Sequence, residues 1–67
     1  MWRQLSLPNG LLFEVELVKE DAKRFRARAF GPRKEGKVPE TPAAEATGGG
    51  FDAAEQAVTK ALYDRFF

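Results

Sequence analysis

The chain has 67 residues, a formal net charge of +1, no Cys and no His. That length makes one small domain. The absence of Cys and His excludes disulfide staples, thiolate zinc sites and the commonest general base and metal ligand. Hydrophobic residues make up 43% of the chain, enough for one core, and the 31% charged fraction is not that of a disordered chain. The longest apolar run without Ala is Leu11-Leu12-Phe13, too short for a membrane span or a signal-peptide core. The expectation is a cytoplasmic α+β domain spanning residues 1–67, with no cofactor, no metal and no membrane partner.

In chain order, the first signal is Leu7-Pro8-Asn9-Gly10-Leu11. Pro suits the second position of a type I turn, Asn the third, and Gly the left-handed residue that follows. This predicts a three-residue hairpin loop that pairs a strand over 2–7 with one over 11–18. Leu5, Leu7, Leu11, Phe13, Val15 and Leu17 alternate as one core face.

Residues 23–30 alternate too: Phe25, Ala27 and Ala29 face one way, and Arg24, Arg26, Arg28 and Phe30 the other. A turn at Glu20-Asp21-Ala22 sets Leu17 against Phe25, Val15 against Ala27 and Phe13 against Ala29. On the opposite face it sets Glu16 against Arg26 and Glu14 against Arg28, a favourable charge pattern. A one-residue slip sets Glu against Phe.

Residues 31–42 hold three Pro and two Gly and read as a loop, near the upper length for a structureless connection. A short fourth strand over 43–47 is an option that its Ala content weakens. Gly48-Gly49-Gly50 breaks the chain. Backbone N–H groups before a helix can hold an anion, but the Lys-Ser/Thr of a phosphate loop is missing, so these glycines read as turn chemistry.

A helix follows over 53–66, with Asp52 as N-cap and Glu55 three residues on as a capping box. Ala54, Ala57, Val58, Ala61, Leu62 and Phe66 recur at helical spacing as one apolar stripe. Together these elements predict an antiparallel meander of three strands, with the fourth as an option, and one C-terminal helix packed on one face.

Charge is segregated along the chain. Residues 19–37 carry eight Lys/Arg against three Asp/Glu, and the remainder carries three against seven. Such a pole attracts phosphate even when the total is near neutral. On the sheet face away from the helix, Arg24, Arg26 and Arg28 form a stripe of the kind that enters a major groove. The loop cations Arg33, Lys34 and Lys37 add phosphate contacts. The competing reading is that Glu14 and Glu16 neutralise two of these arginines and leave a solvated face.

Trp2, Leu12, Val18 and Phe30 share that face. Aromatic residues mixed with Arg are typical of interface hot spots, and they also serve as stacking platforms for single-stranded bases. Strand 2–7 or 23–30 as a sheet edge invites a partner strand or a second copy. Catalysis has no support: Ser6 stands without a base, and Glu14 and Glu16 face arginines that lower their pKa and suit them poorly to acid catalysis or to a metal.

The run Gly50-Phe51-Asp52-Ala53-Ala54-Glu55-Gln56-Ala57 resembles the strand-to-helix junction of ethylene-response-factor-type DNA-binding domains and of the arm-binding domains of tyrosine recombinases. HicB-type antitoxins share a similar junction. The DNA-binding resemblance implies a sheet that enters the major groove and assigns that role to Arg24, Arg26 and Arg28. Pro8 through Val18 is similar to the first strand of double-stranded-RNA-binding domains, and Ala53-Ala54-Glu55-Gln56-Ala57 with Lys60-Ala61-Leu62 to their last helix. The leading expectation is a small non-catalytic module that binds nucleic acid through the open sheet face and the 31–42 loop. The alternative is a protein-interaction or homodimerisation module that uses the same face or an edge strand.

Overall fold

A computed structural model describes residues 1–67. Four strands, β1 (Trp2–Ser6), β2 (Leu12–Asp21), β3 (Arg24–Phe30) and β4 (Ala44–Gly48), form an antiparallel sheet in the order β1-β2-β3-β4, and α1 (Phe51–Phe66) follows. The meander and the single C-terminal helix are as the pattern predicts, and the optional fourth strand is present.

The β1–β2 hairpin turns at Pro8-Asn9-Gly10. Gly10 is left-handed at φ 88, which only glycine adopts freely. Its N–H donates to the Leu7 carbonyl at 3.0 Å, and the Asn9 side chain accepts from the Leu11 N–H at 3.1 Å. Leu5 faces Phe13 and Arg3 faces Val15 across the ladder.

The β2–β3 register differs from expectation by two residues. Leu17 faces Ala27, Val15 faces Ala29, Glu16 faces Arg28, Val18 faces Arg26, and Glu14 faces Phe30. Strand β2 runs on to Asp21, whose carboxylate accepts the Lys23 N–H at 2.8 Å and tightens the turn to Ala22-Lys23. Neither turn residue has positive φ, so the primed turn that matches strand twist is not used. The register shifts between Lys19 and Asp21 instead, a bulge at Glu20 that takes up the mismatch. A two-residue shift preserves the faces because side chains alternate with period two, so the face assignment stands while the partners change.

Phe13, Val15, Leu17, Phe25, Ala27 and Ala29 from the sheet close on Ala54, Val58 and Leu62 from α1, with Leu7 in the same core. Alanines at the centre of β3 let the helix approach closely. Leu11 and Phe66, both expected in this core, are exposed; Phe66 still packs its ring 5.6 Å from that of Phe13. The helix lies over β3 and β4 and reaches β2, while its backbone stays clear of the β1 backbone. One helix is about 10 Å across and covers roughly two strands at their ~4.8 Å spacing. The far edge of the sheet is therefore left free.

The helix starts earlier than expected, at Phe51, with Gly50 in the N-cap position and no side-chain cap. Asp52 and Glu55 do not form a capping box. Both reach instead to Arg3 of β1, at 3.3 Å for Asp52 and more closely for Glu55. A guanidinium offers a carboxylate more than a backbone N–H does, because the hydrogen bond is charge-assisted on both sides. Phe51 stacks edge-on against Phe25 at 4.7 Å, which fixes the helix start over β3. Gly48 is required for close approach: a Cβ there would lie 2.6 Å from the Ala54 nitrogen.

Candidate functional site

The face of the sheet away from α1 gathers most of the residues singled out above, and its chemistry is dominated by pairing. Arg28 bonds Glu16, its cross-strand neighbour. Arg26 meets Glu20 at 3.0 Å and lies 3.9 Å from Glu45 of β4. The bulge at Glu20 aims that carboxylate at Arg26, so an irregularity in β2 completes the pairing. Arg33 returns from the 31–42 loop and forks onto Glu14 at 2.6 and 2.9 Å.

These partners differ from the expected ones. Arg26 does not meet Glu16, and Arg28 does not meet Glu14; the two-residue register change hands Glu16 to Arg28 and frees Glu14 for the loop. The Arg33 hydrogen bonds hold the Glu14 carboxyl below the ordinary carboxylate range, and the same bonds raise Arg33 further above its own. Arg3, on the other face, is likewise raised, first by its hydrogen bond to Glu55 and then by Asp52.

Of the six cations proposed as nucleic-acid contacts, Arg26, Arg28 and Arg33 are thus held by carboxylates, while Arg24, Lys34 and Lys37 make no ion pair. The free three do not form one patch. Arg24 begins β3 and the lysines follow its end, and a seven-residue strand spans about 20 Å.

The loop itself is ordered. Lys34 and Lys37 exchange both main-chain hydrogen bonds, at 2.9 and 3.0 Å, around Glu35 and Gly36. Both turn residues have positive φ, 54 for Glu35 and 77 for Gly36, which is the type I′ pattern. The reading of 31–42 as structureless is corrected to a loop that carries one tight turn and is tied back by Arg33.

The apolar members of the face divide. Trp2, Leu12 and Val18 are 50%, 52% and 40% exposed, as an interaction surface requires. Phe30 is only 7% exposed and offers no surface. The Trp2 ring lies 5.9 Å from it and the Arg28 guanidinium 5.9 Å over it, so Phe30 acts as the base on which Trp2 and Arg28 rest.

Strand β3 is internal, so the edges of the sheet are β1 and β4 rather than β1 and β3. That correction follows from Ala44–Gly48 pairing with β3. No three Asp or Glu side chains converge into a group suited to a metal ion. The one hollow in the surface lies along Glu55, Gln56, Thr59, Lys60 and Tyr63 of α1, all on one helix, and it is too open to enclose a small molecule. No helix is long and apolar enough to cross a membrane.

Sequence reasoning missed Glu20, Glu45 and Arg33 as partners in the open-face lattice. Only the alternation of Glu45 within 43–47 carried a signal for one of them. Comparisons with protein-family models, curated proteins and solved structures found no match.

Proposed function

We propose that this domain is a non-catalytic protein-interaction module that works through its open sheet face and the β1 edge beside it. The carrying observation is the pairing of Arg26 with Glu20, Arg28 with Glu16 and Arg33 with Glu14. Phosphate affinity comes from cations that displace the counterions condensed on the nucleic acid, and a cation already paired with a carboxylate must give up that pair to do so. What the face offers instead is exposed Trp2, Leu12 and Val18 around a lattice of half-exposed guanidinium groups, each held by a carboxylate. Aromatic and Arg-rich surface with its charge balanced internally is the composition of protein interfaces.

The test is selection of a displayed random-peptide library on the immobilised domain. Expected are clones that bind with weak salt dependence and lose at least about tenfold in affinity, roughly 1.4 kcal/mol, on Trp2→Ala or Val18→Glu. Clones that ignore both substitutions, or no clones at all, overturn the reading.

The nucleic-acid reading keeps one observation in its favour. Lys34 and Lys37 sit directly opposite each other and neither makes an ion pair, an arrangement of like charges that an anion would relieve. Anisotropy titrations with labelled duplex DNA, duplex RNA and single strands at two salt concentrations separate the two readings. Steeply salt-dependent binding that Lys34→Ala with Lys37→Ala abolishes favours nucleic acid.

A further inference from the structure

The two edges of the sheet are not equivalent. Strand β4 carries Glu45 as its second residue, and the guanidinium of Arg65 donates to the Ala43 carbonyl just before the strand begins. An edge charge is a usual guard against strand pairing. Strand β1, Trp-Arg-Gln-Leu-Ser, has no Lys, no Pro and no bulge. Its one charge, Arg3, lies on the helix face and is held by Glu55 and Asp52.

The direction of the main-chain groups on β1 follows from the ladder. The Leu17 N–H donates to the Met1 carbonyl at 2.7 Å, and the Met1 nitrogen donates to the Leu17 carbonyl at 3.0 Å. The Leu7 N–H donates to the Leu11 carbonyl at 2.9 Å. Bonded and non-bonded pairs alternate in an antiparallel ladder, so Met1, Arg3, Leu5 and Leu7 turn their groups toward β2. Trp2, Gln4 and Ser6 turn theirs outward, unpaired.

We propose that β1 pairs antiparallel with β1 of a second copy about a two-fold axis at Gln4, joining two sheets edge to edge. This rests on the interaction reading and names the partner as the chain itself. The register is self-complementary: Gln4 lies opposite Gln4 of the second copy, and Trp2 opposite its Ser6. Every outward N–H and carbonyl of Trp2, Gln4 and Ser6 then finds a partner.

Side chains favour the same register. Ser6 is the cross-strand neighbour of Leu12, so beyond the second copy's Ser6 lies its Leu12. Trp2 and Leu12 are the two most exposed apolar residues of the open face. Pairing brings them two strand spacings apart, about 10 Å between backbones, with only a small Ser between. In the free chain the indole leans the other way, across β2 onto Phe30, so meeting that leucine requires it to swing out over the serine. The two-fold axis makes the contact twice, and no like charges meet directly across the new pair.

Sedimentation equilibrium from micromolar to millimolar protein tests this. A monomer–dimer equilibrium is expected. Gln4→Pro removes an outward N–H that the internal ladder does not use, so a monomer with unchanged circular dichroism is expected at every concentration. Gln4→Lys sets two ammonium groups across the axis. It should weaken the dimer at low salt, and added salt should recover part of the loss. Trp2→Ala should weaken it at least about tenfold. Should Gln4→Pro misfold, Gln4→Lys and Trp2→Ala carry the same test.

A wild-type monomer throughout overturns the proposal, as does a dimer that none of the three substitutions weakens. If the protein is monomeric yet selected peptides still bind the open face, the second-copy proposal fails and the interaction reading stands. Monomer with no peptide binding removes both.

Discussion

On one side of β3, Phe25, Ala27 and Ala29 are sealed beneath α1; on the other, Arg26 and Arg28 lie half-exposed among carboxylates. Both faces are built by the same alternation, yet they are held together by forces of different size. Burial of Val15, Leu17, Val58 and Leu62 removes apolar surface from water at about 25 cal/mol per Å². The ion pairs on the open face sit in high dielectric, where each is worth on the order of 0–1 kcal/mol. The covered face therefore carries the stability. The open face is organised at little energetic gain.

Substitutions on the two faces should separate by size. The largest effect is expected at Leu62, which is fully buried: Leu62→Ala should cost about 2–5 kcal/mol in urea unfolding, enough to threaten a domain this small. Gly48→Ala comes next. Its added Cβ strikes helix backbone rather than a flexible side chain, and a loss of about 1–3 kcal/mol is expected, with a lower thermal midpoint. On the open face, a double-mutant cycle on Glu16→Ala and Arg28→Ala should give a coupling of only about 0.2–1 kcal/mol. A coupling as large as the Leu62 effect would break the comparison.

The smallest effect is in pH. Glu14 has its folded pKa depressed by Arg33, so the stability it contributes is present above the unfolded value of about 4.3 and is lost as pH falls through the folded one. Carbon-detected NMR titration should find Glu14 below the ordinary carboxylate range, and Arg33→Ala should raise it back toward that range.

Much of this architecture was readable before the structure. Pro8-Asn9-Gly10 identified the first hairpin because its turn needs a left-handed residue at a fixed place, and Gly10 occupies it. Period-two alternation assigned the faces of β2 and β3 correctly. It could not assign partners, because any shift by two residues keeps every side chain on its face. The choice fell where the Asp21 side chain accepts the Lys23 N–H and the turn sits at Ala22-Lys23 rather than at Glu20-Asp21-Ala22. The capping box failed for a related reason. Asp52 and Glu55 have the right spacing for it, but Arg3, far away in sequence, competes for both carboxylates.

The candidate site was legible as residues and not as a state. Arg24, Arg26 and Arg28 were visible as a stripe, and Trp2, Leu12 and Val18 as apolar neighbours. That Phe30 lies buried beneath Trp2 and Arg28, and that Arg33 folds back onto Glu14, depends on the path of a Pro-rich loop for which periodicity has nothing to say.

Local chemistry thus determined the kinds of element, their order and the face each side chain takes, since turn residues and alternation act over a few neighbouring positions. Tertiary structure decided which strand lies at the edge, which carboxylate each arginine holds, and how far one helix reaches across four strands. Those outcomes turn on contacts between residues distant in sequence, where several arrangements satisfy the same local pattern and only packing and charge across the whole fold separate them.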